Sequence, residues 1–370
     1  MVEYRDALVQ ERTEILQLAD SVFNMNAAQL LPKTYGGRYP FEKITKVAVN
    51  HTGLIIAQVA VLPQLLHVGD NVLKANYVGT VSVHPDFRGQ GHMQQLMNAS
   101  LDEMSGVYDL SVLSGQRQRY EYYGYTVGGI EYQFHFEAPN VRHGLKDVET
   151  QAFSILPIVE NDTYLEDIYT LISQKNVYID REKDYLFEIL HTFNLKPFNI
   201  LLKDEWVGYF LSVEDQSALI ELGLKDEKYL KPFLKYFLDG KDELQISTAA
   251  YDLERNQILS ELAERYSIHP VLNINILNFQ SVIEAFLRLK QDQVGLSEGS
   301  FSAYFDGQPI TITVSQKQVN VDGKAEANAP QLTKLQAQAL LLSPFGNPNK
   351  YPIPNDWFPL PIFWHGTDKF

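Results

Sequence analysis

The chain has 370 residues, of which 45% are hydrophobic, 12% aromatic and 21% charged, a composition that excludes extended disorder. Asp and Glu outnumber Lys and Arg by 46 to 31, and the net charge of −15 disfavours binding to nucleic acid or anionic membranes and favours a small cationic partner. The same acidity also serves plain solubility. A chain of this length predicts two or three domains.

The absence of cysteine excludes disulfides, thiolate metal sites and a cysteine nucleophile. The nine histidines show no metal-ligand spacing, so we expect no metal. The first residues lack the basic start and apolar core of a secretory signal, and no apolar run reaches the roughly 18 residues of a membrane span. These features predict a cytoplasmic protein.

The first 140 residues predict a mixed α/β unit, because helical and strand periodicities alternate along them. The predicted elements are helices at 14–23 and 92–104 and strands at 54–62, 77–83, 107–113 and 132–137. Between the second strand and the second helix the chain passes through Pro85, Gly89 and Gly91. A loop with Pro139, Asn140 and Gly144 marks the end of this unit.

A second unit is predicted from 150 to 270 and a third from 272 to 370. The second repeats the order of strands followed by a helix, with strands at 199–202, 206–213 and 218–223 and a helix at 229–238. It lacks the glycine turn and carries Asp226 and Glu227 there, which suit no phosphate, so we interpret it as structural. The third predicts helices at 281–290 and 331–342, three short strands within 301–321 and an irregular tail.

The most informative segment runs from Val81 to Met93. A strand that ends in Arg88-Gly89-x-Gly91 at a helix start exposes backbone N–H groups where a pyrophosphate can bind. It is neither a Walker motif nor a dinucleotide fingerprint, because the Lys-Ser/Thr pair and the third glycine are missing. A plain strand-to-helix turn is the structural alternative.

The same segment resembles motif A of the GNAT acetyltransferases, Gln/Arg-x-x-Gly-x-Gly/Ala, with Met93 where glycine or alanine is usual. The resemblance implies acetyl-CoA as cosubstrate and Val83 N–H as the donor to the oxyanion. We interpret His84 and His92 each as a loop or capping residue that is not a catalytic base. The implied cofactor-binding residues are Val81, Ser82, Val83, Arg88, Gly89, Gln90, Gly91, His92, Met93, Gln94, Tyr120 and Glu121.

A second segment, from Leu113 to Tyr125, follows a predicted strand directly. Its Tyr123-Gly124-Tyr125 resembles the Phe-Gly-Tyr signature of the Eis (enhanced intracellular survival) type of GNAT enzyme, which implies that Tyr125 donates a proton. Chemistry suggests the same role, because a phenol with a pKa near 10 can protonate a departing CoA thiolate within reach. Packing is the alternative role for any of the 21 tyrosines.

The chain ends in an apolar, aromatic run that closes with Phe370, which suggests a docked terminus. Eis-type enzymes end similarly in phenylalanine, and the resemblance implies that the α-carboxylate of Phe370 accepts the proton of the amine. An α-carboxyl with a pKa near 3.5 is a weak base unless burial or water assists it. An aromatic anchor is the alternative, and the charge of Lys369 favours it.

The resemblance covers the architecture too. It implies an α/β (α+β) chain with two tandem GNAT-like mixed-sheet domains, at 1–140 and 150–270, followed by a sterol-carrier-protein-like α+β domain at 272–370. It also implies a homo-oligomer, a hexamer by family resemblance, that acetylates a primary amine of a cationic small molecule (aminoglycoside-like or polyamine) or a lysine side chain. The competing interpretation is a non-catalytic sensor or carrier that binds CoA or a lipid.

Overall fold

The computed structural model describes residues 1–346 and 350–370. In chain order the strands are β1 (Glu3–Asp6), β2 (Thr45–Val49), β3 (Ile55–Val68), β4 (Asn71–Val83), β5 (Leu110–Leu113), β6 (Thr126–Gly128), β7 (Glu131–Glu137), β8 (Phe153–Pro157), β9 (Val177–Ile179), β10 (Lys196–Leu202), β11 (Glu205–Ser212), β12 (Ala218–Leu224), β13 (Glu243–Ala249), β14 (Arg265–His269), β15 (Leu272–Ile276), β16 (Gly299–Phe305), β17 (Gln308–Ser315), β18 (Gln318–Asp322) and β19 (Gln331–Leu332). The helices are α1 (Arg12–Phe23), α2 (Ala27–Leu30), α3 (Pro32–Tyr35), α4 (His92–Met104), α5 (Arg117–Glu121), α6 (Ala138–Gly144), α7 (Leu165–Ser173), α8 (Leu186–Leu190), α9 (Leu230–Phe237), α10 (Leu253–Leu262), α11 (Phe279–Val294) and α12 (Lys334–Leu342).

The first sheet has the strand order β1-β2-β3-β4-β5-β15-β6, with β9 added beside β3. Its neighbours are antiparallel except for β4 and β5, which run parallel. The parallel pairing extends from Ala75/Leu110 to Val78/Leu113. Residues 79–83 of β4 therefore run beyond the end of β5, and a gap opens between the two strands.

The second sheet has the order β14-β7-β13-β12-β11-β10-β8. It again has one parallel pair, β12 with β13, between antiparallel neighbours. The two sheets thus share one plan, in which a run of antiparallel strands leads to a parallel pair. Their cores are separate apolar clusters.

The two sheets exchange a strand. The sequence suggests that residues 132–137 complete the first unit, but the structure places this strand, β7, in the second sheet beside β13. Gly129, with a φ of +83°, lets the chain leave the first sheet, and Phe134 and Phe136 are then buried in the second core. In return β15, which follows the second unit in the chain, lies between β5 and β6.

The third sheet has the order β18-β17-β16-β19 and packs against α11. Its apolar side chains belong to the same cluster as those of the first sheet, so the C-terminal region is built onto the first sheet. The predicted helix at 331–342 begins only at Lys334, because the side chains of Thr333 and Gln336 form a capping box there. Among the described residues, no helix is both long and apolar enough to cross a membrane.

Candidate active site

The open edge of β4 presents backbone groups to the gap beyond β5. The N–H of His84 donates to the carbonyl of Ile56 on β3 at 2.8 Å, so it faces away from the gap. Because successive residues of a strand point their N–H groups to opposite sides, the N–H groups of Val83 and Val81 face the gap. Both valines are half-buried, and Ser82 between them is buried.

A bulge in β4 lies at the start of this open edge. Gln58 pairs with Ser82 and Ala60 with Gly79, so Thr80 and Val81 together oppose a single residue of β3. Thr80 has a φ of +46°, which costs a β-branched residue about 1–3 kcal/mol. Its hydroxyl is hydrogen-bonded at 2.8 Å to the hydroxyl of Tyr35, both of them buried, and this contact helps to hold the bulge.

The predicted glycine turn joins β4 to α4. Gly89 and Gly91 have φ values of +77° and +82°, which glycine adopts without strain. Helix α4 begins at His92 after Gly91, which has no side chain to cap it. Over residues 1–346 and 350–370, the N–H groups of Gly89, Gln90 and Gly91 have no hydrogen-bond acceptor. The turn can therefore offer several N–H groups to an anion at the positive end of the helix.

The remaining predicted cofactor residues surround this turn. Arg88 is exposed, with Nε 3.4 Å from the carbonyl oxygen of Val83. The exposed Gln94 contacts the hydroxyl of Tyr122 at 2.9 Å, which connects the first turn of α4 with the segment after α5. Met93 is half-buried.

His92, Tyr120 and Glu121 each contact another side chain of the protein. His92 is buried and its Nδ1 lies 2.7 Å from the hydroxyl of Tyr4. This contact indicates a structural role for His92. Tyr120 is buried with its ring 6.3 Å from that of Tyr125. Glu121 pairs with Arg117 at 3.4 Å on α5. Their expected contact with the cofactor stays a prediction.

Tyr125 is fully buried and directly precedes β6. Its hydroxyl lies 2.7 Å from Ser111 Oγ, and Ser111 donates in turn to Asn76 Oδ1 at 2.6 Å. Ser111 and Asn76 are register partners on β5 and β4, just before the two strands separate. Burial raises the pKa of Tyr125 above its ordinary value, so the phenol keeps its proton.

The C-terminal residue lies in the first core beside β4. Phe370 is 3% exposed, and its ring centroid is 5.8 Å from those of Tyr35 and Tyr77. The hydroxyl of Tyr77 donates to Ser114 Oγ at 2.8 Å, and burial raises its pKa to about 12. Phe370 therefore reaches β4 where the gap begins, although Tyr35 and Tyr77 lie hundreds of positions before it in the chain.

Sequence reasoning missed several residues here, namely Tyr35, Asn76, Tyr77, Thr80 and Ser111. Two of them carried a usable signal, since Asn76 and Ser111 interrupt otherwise apolar strands and a buried polar side chain needs a partner. The others give no local signal, because their contacts depend on residues far along the chain.

A cavity of about 790 Å³ lies at another place, on the far side of β6. Its lining is mainly apolar, and it includes Lys290, whose pKa burial lowers to about 8. It shares no residue with the glycine turn. Among the described residues, no cluster of three or more His, Asp or Glu side chains could hold a metal ion.

The parallel strands β4 and β5 separate above a glycine turn at the N-terminus of α4. Residues 3–128, which contain these elements, match the family model described as acetyltransferase (GNAT) domain. An aminoglycoside 2'-N-acetyltransferase of Mycolicibacterium fortuitum is 39% identical over 66 residues, or 18% of this chain. The chain spans about a third (34%) of the length of that relative.

Solved structures extend the likeness to nearly the whole chain. Eis1 from Mycobacterium abscessus has a TM-score of 0.67 at 12% identity, covering 96% of this chain and 95% of its own. A GCN5-related N-acetyltransferase from Anabaena variabilis has 0.67 at 16%, covering 95% and 93%. A probable N-acyltransferase from Enterococcus faecalis has 0.66 at 16%, covering 90% and 88%. The predicted fold class, a mixed α/β chain similar to the tandem GNAT architecture, is confirmed.

Proposed function

We propose that the chain transfers an acetyl group from acetyl-CoA to a primary amine of a cationic small molecule or of a lysine side chain. The observation that carries the proposal is the open edge of β4, which lies between the glycine turn and the buried C-terminal residue. A cofactor along that edge would have its phosphates at one end and its thioester near Phe370. The relative from Mycolicibacterium fortuitum, named for acetylating an aminoglycoside, supports an amine acceptor.

In this proposal the cofactor binds through backbone groups. The N–H groups of Val81 and Val83 bind the pantetheine, which extends along β4 as an added strand would. The pyrophosphate accepts hydrogen bonds from the turn at Gly89–Gln94, where a helix dipole and unpaired N–H groups favour negative charge. Arg88 adds a positive charge beside it.

The reaction needs three groups near the thioester. The amine nitrogen attacks the carbonyl carbon and forms the C–N bond, while the N–H of Val83 stabilises the oxyanion. The C–S bond then breaks, the CoA thiolate takes a proton from Tyr125, and the amine loses its proton to the carboxylate of Phe370 directly or through water. The net change is one amide and one thiol, with no covalent enzyme intermediate.

The hydrogen bonds of Tyr125 set a condition on this role. Because Ser111 donates to Asn76, the phenol donates to Ser111 in the structure. Its O–H must rotate toward the sulfur to serve as the acid. Afterwards the Tyr125 phenolate takes back a proton through water from the Phe370 carboxyl, which gained one from the amine, and the phenol then donates to Ser111 again.

The finer features follow the family resemblance. We propose a cytoplasmic homo-oligomer, a hexamer, with residues 1–140 as the catalytic domain, 150–270 as a GNAT-like domain without cofactor and 272–370 as a sterol-carrier-protein-like domain. The net charge of −15 supports a cationic acceptor, because opposite charge raises the local concentration of substrate. Polyamines and aminoglycosides are the two small-molecule classes to test.

One experiment tests the activity directly. The purified protein is mixed with acetyl-CoA and with polyamines, aminoglycosides or lysine-bearing peptides, and release of the CoA thiol is followed. Release that depends on one amine class supports the proposal. Acetyl-CoA binding without release for any amine would contradict it and favour a sensor or carrier, for which the apolar cavity of about 790 Å³ offers a ligand site.

The role of the terminal carboxylate is tested by adding two residues, Gly-Ser, after Phe370. The extension moves the carboxylate while keeping every side chain. We expect a loss of turnover with unchanged affinity for acetyl-CoA. Full activity in the extended protein would leave Phe370 as an aromatic anchor alone.

A further inference from the structure

The tail that ends in Phe370 is held at a second place, two residues earlier. The carboxylate of Asp368 accepts hydrogen bonds from Arg181 Nε at 2.8 Å and from Arg181 Nη2 at 3.2 Å. Arg181 directly follows β9, which lies within residues 150–270 of the chain but pairs with β3 of the first sheet. The ion pair therefore connects the C-terminal tail to the segment by which residues 150–270 join the first sheet.

Arg181 holds a strand of the second sheet with its remaining donors. Its Nη1 and Nη2 donate to the two carboxylate oxygens of Glu221 on β12 at 3.1 and 2.8 Å. Nη2 also donates to Thr367 Oγ1 at 2.8 Å, and Tyr209 donates to Glu221 from β11. One planar guanidinium thus fixes two carboxylates and a hydroxyl, and its rigid fork sets their angles as well as their distances.

The whole cluster is removed from water. Arg181, Glu221 and Asp368 are 3%, 2% and 4% exposed. A buried ion pair is a poor device for stability, because the cost of desolvating the charges offsets most of their attraction. In some proteins such clusters fix one geometry among several, and a tail residue with a chemical role would need that property.

The ion pair of Arg181 with Asp368, here called the clamp, restricts Phe370 because only one residue separates Asp368 from Phe370. An extended chain spans at most about 3.6 Å per residue, so the backbone of Phe370 lies within roughly 7 Å of that of Asp368. A second contact limits the tail further, since Gln64 on β3 donates from Nε2 to the backbone carbonyl of Asp368 at 2.6 Å. Fixing Asp368 therefore fixes the region that the terminal carboxylate can reach.

The second unit has no free cofactor turn of its own. Asp226, after β12, accepts a hydrogen bond from the N–H of Lys228 at 2.9 Å and so caps the position that corresponds to the glycine turn. A protein side chain thus takes the place that an anion would need. The unit meets the C-terminal tail at a different place, where Arg181 pairs with Asp368 of the tail and with Glu221 on β12.

We infer that Arg181, in the unit without a cofactor turn, is a positioning residue that clamps Asp368 and thereby places the terminal carboxylate of Phe370 at the open edge of β4. The inference rests on the proposed function. It gives the second unit a role in the reaction. The clamp acts through the tail, so it affects turnover and not the binding of acetyl-CoA.

The test uses the full-length protein and removes one contact of the clamp at a time. Asp368→Asn removes the charge and keeps the shape. Thr367→Val removes a hydroxyl without changing any charge, so it serves if the first variant does not fold. Glu227→Gln is the matched control, because Glu227 pairs with Arg255 in the same unit and is also mostly buried, but it has no contact with the tail.

Two measurements are made on each variant. The first is the rate at which a carboxypeptidase that prefers aromatic C-terminal residues releases Phe370. The second is kcat and the KM for acetyl-CoA in the thiol-release assay. If these residues served only stability, replacing them would leave the release rate of Phe370 from the folded variant unchanged. It would also not lower kcat while leaving the KM for acetyl-CoA unchanged.

For Asp368→Asn we expect release of Phe370 to be at least about tenfold faster and kcat about tenfold lower, with unchanged KM for acetyl-CoA, because small misplacements of a reacting group are costly. Thr367→Val should change both in the same direction, and Glu227→Gln should match wild type. Wild-type release from both tail variants, or wild-type kcat in a variant whose tail is released faster, overturns the inference. If the wild type acetylates no amine, the proposed function fails, and the release rates alone still decide whether Arg181 holds the tail.

Discussion

The ring of Phe370 occupies the space beside β4 that a side chain at position 79 would fill. A Cβ built on Gly79 would lie 2.5 Å from Phe370 Cε2 and 2.6 Å from Cδ2. The last residue of the chain and a glycine of the first sheet are thus sterically complementary. Glycine is needed at this position because of the ring it faces.

Replacing Gly79 by alanine should displace the tail. We expect the Gly79→Ala variant to keep its affinity for acetyl-CoA and to lose turnover by about tenfold or more, because the added methyl group pushes the ring out of its site. Steady-state kinetics measure both quantities. Gly144→Ala is the control, since its methyl group would meet only the end of the Leu262 side chain. Equal turnover in both variants would contradict the steric argument.

Tyr125 gives a prediction for mutation and for pH. Loss of a general acid costs about 10²–10⁴ in rate, so Tyr125→Phe should lower kcat in that range without weakening acetyl-CoA binding. Burial raises the pKa of the phenol, so it stays protonated as the pH rises, and kcat should show no alkaline decline from this group below pH about 10. Tyr236→Phe is the control, because Tyr236 packs against Phe153 in the second core. A decline near pH 8 that disappears in Tyr125→Phe would be incompatible with this environment.

Arg88 is exposed at the glycine turn, and its charge should act on the cofactor alone. Arg88→Gln should raise the KM for acetyl-CoA about three- to tenfold with little change in kcat, since a charge-assisted hydrogen bond contributes about 1.5–3 kcal/mol and solvent screens part of it. The difference between variant and wild type should shrink in high salt. A variant with lower kcat and unchanged KM would argue against phosphate binding at this turn.

The exchanged strands predict that the first unit cannot fold alone. A fragment of residues 1–140 lacks β15, which pairs with both β5 and β6, and it exposes Phe134 and Phe136 of β7. We expect this fragment to aggregate or to remain unfolded when expressed by itself, as judged by gel filtration and circular dichroism. Co-expression with residues 141–370 supplies β15 and should recover a soluble complex. A monomeric 1–140 fragment with a cooperative unfolding transition would contradict the exchange.

The buried cluster at Arg181 predicts how stability depends on pH. Burial tends to raise the pKa of Glu221, but the charge of Arg181 outweighs it and holds the pKa well below its ordinary value. A carboxyl with a lowered folded-state pKa stabilises the protein above its unfolded-state pKa of about 4.3, and this contribution is lost as the pH falls toward the folded-state value. The Tm of wild type should therefore fall more steeply below pH about 4.3 than that of Glu221→Gln. Parallel Tm curves would show that Glu221 is not ionised in the folded protein.

Local sequence was sufficient for elements whose signal lies within a few residues. The helix at 92–104 has the predicted bounds, because its apolar face and the glycine before it are both local. The turn at Gly89 and Gly91 was predicted from the same stretch, and its positive φ values are those that glycine alone adopts freely. A resemblance to known enzymes then pointed to Tyr125 and Phe370, which the physical pattern alone could not distinguish from packing residues.

Local sequence did not predict which strands pair. The strand β7 was expected in the first sheet, since strands that are neighbours in sequence usually pair. Its place in the second sheet depends on the second core, which buries Phe134 and Phe136 of β7. The clamp is likewise formed by residues 181, 221 and 368, whose charges look like ordinary solvated ones in sequence. Their pairing follows only when burial excludes water.

The sequence by itself therefore determined which segments form helices and strands, where the glycine turn lies and that the C-terminal run is apolar enough to be buried. Each of these depends on short-range periodicity or on the properties of single residues. The tertiary structure decided which strands share a sheet, which polar groups meet beside Tyr125 and where Phe370 lies. Those choices depend on contacts between residues tens to hundreds of positions apart, and such contacts are selected by the burial of complementary surfaces and not by any local preference of the chain.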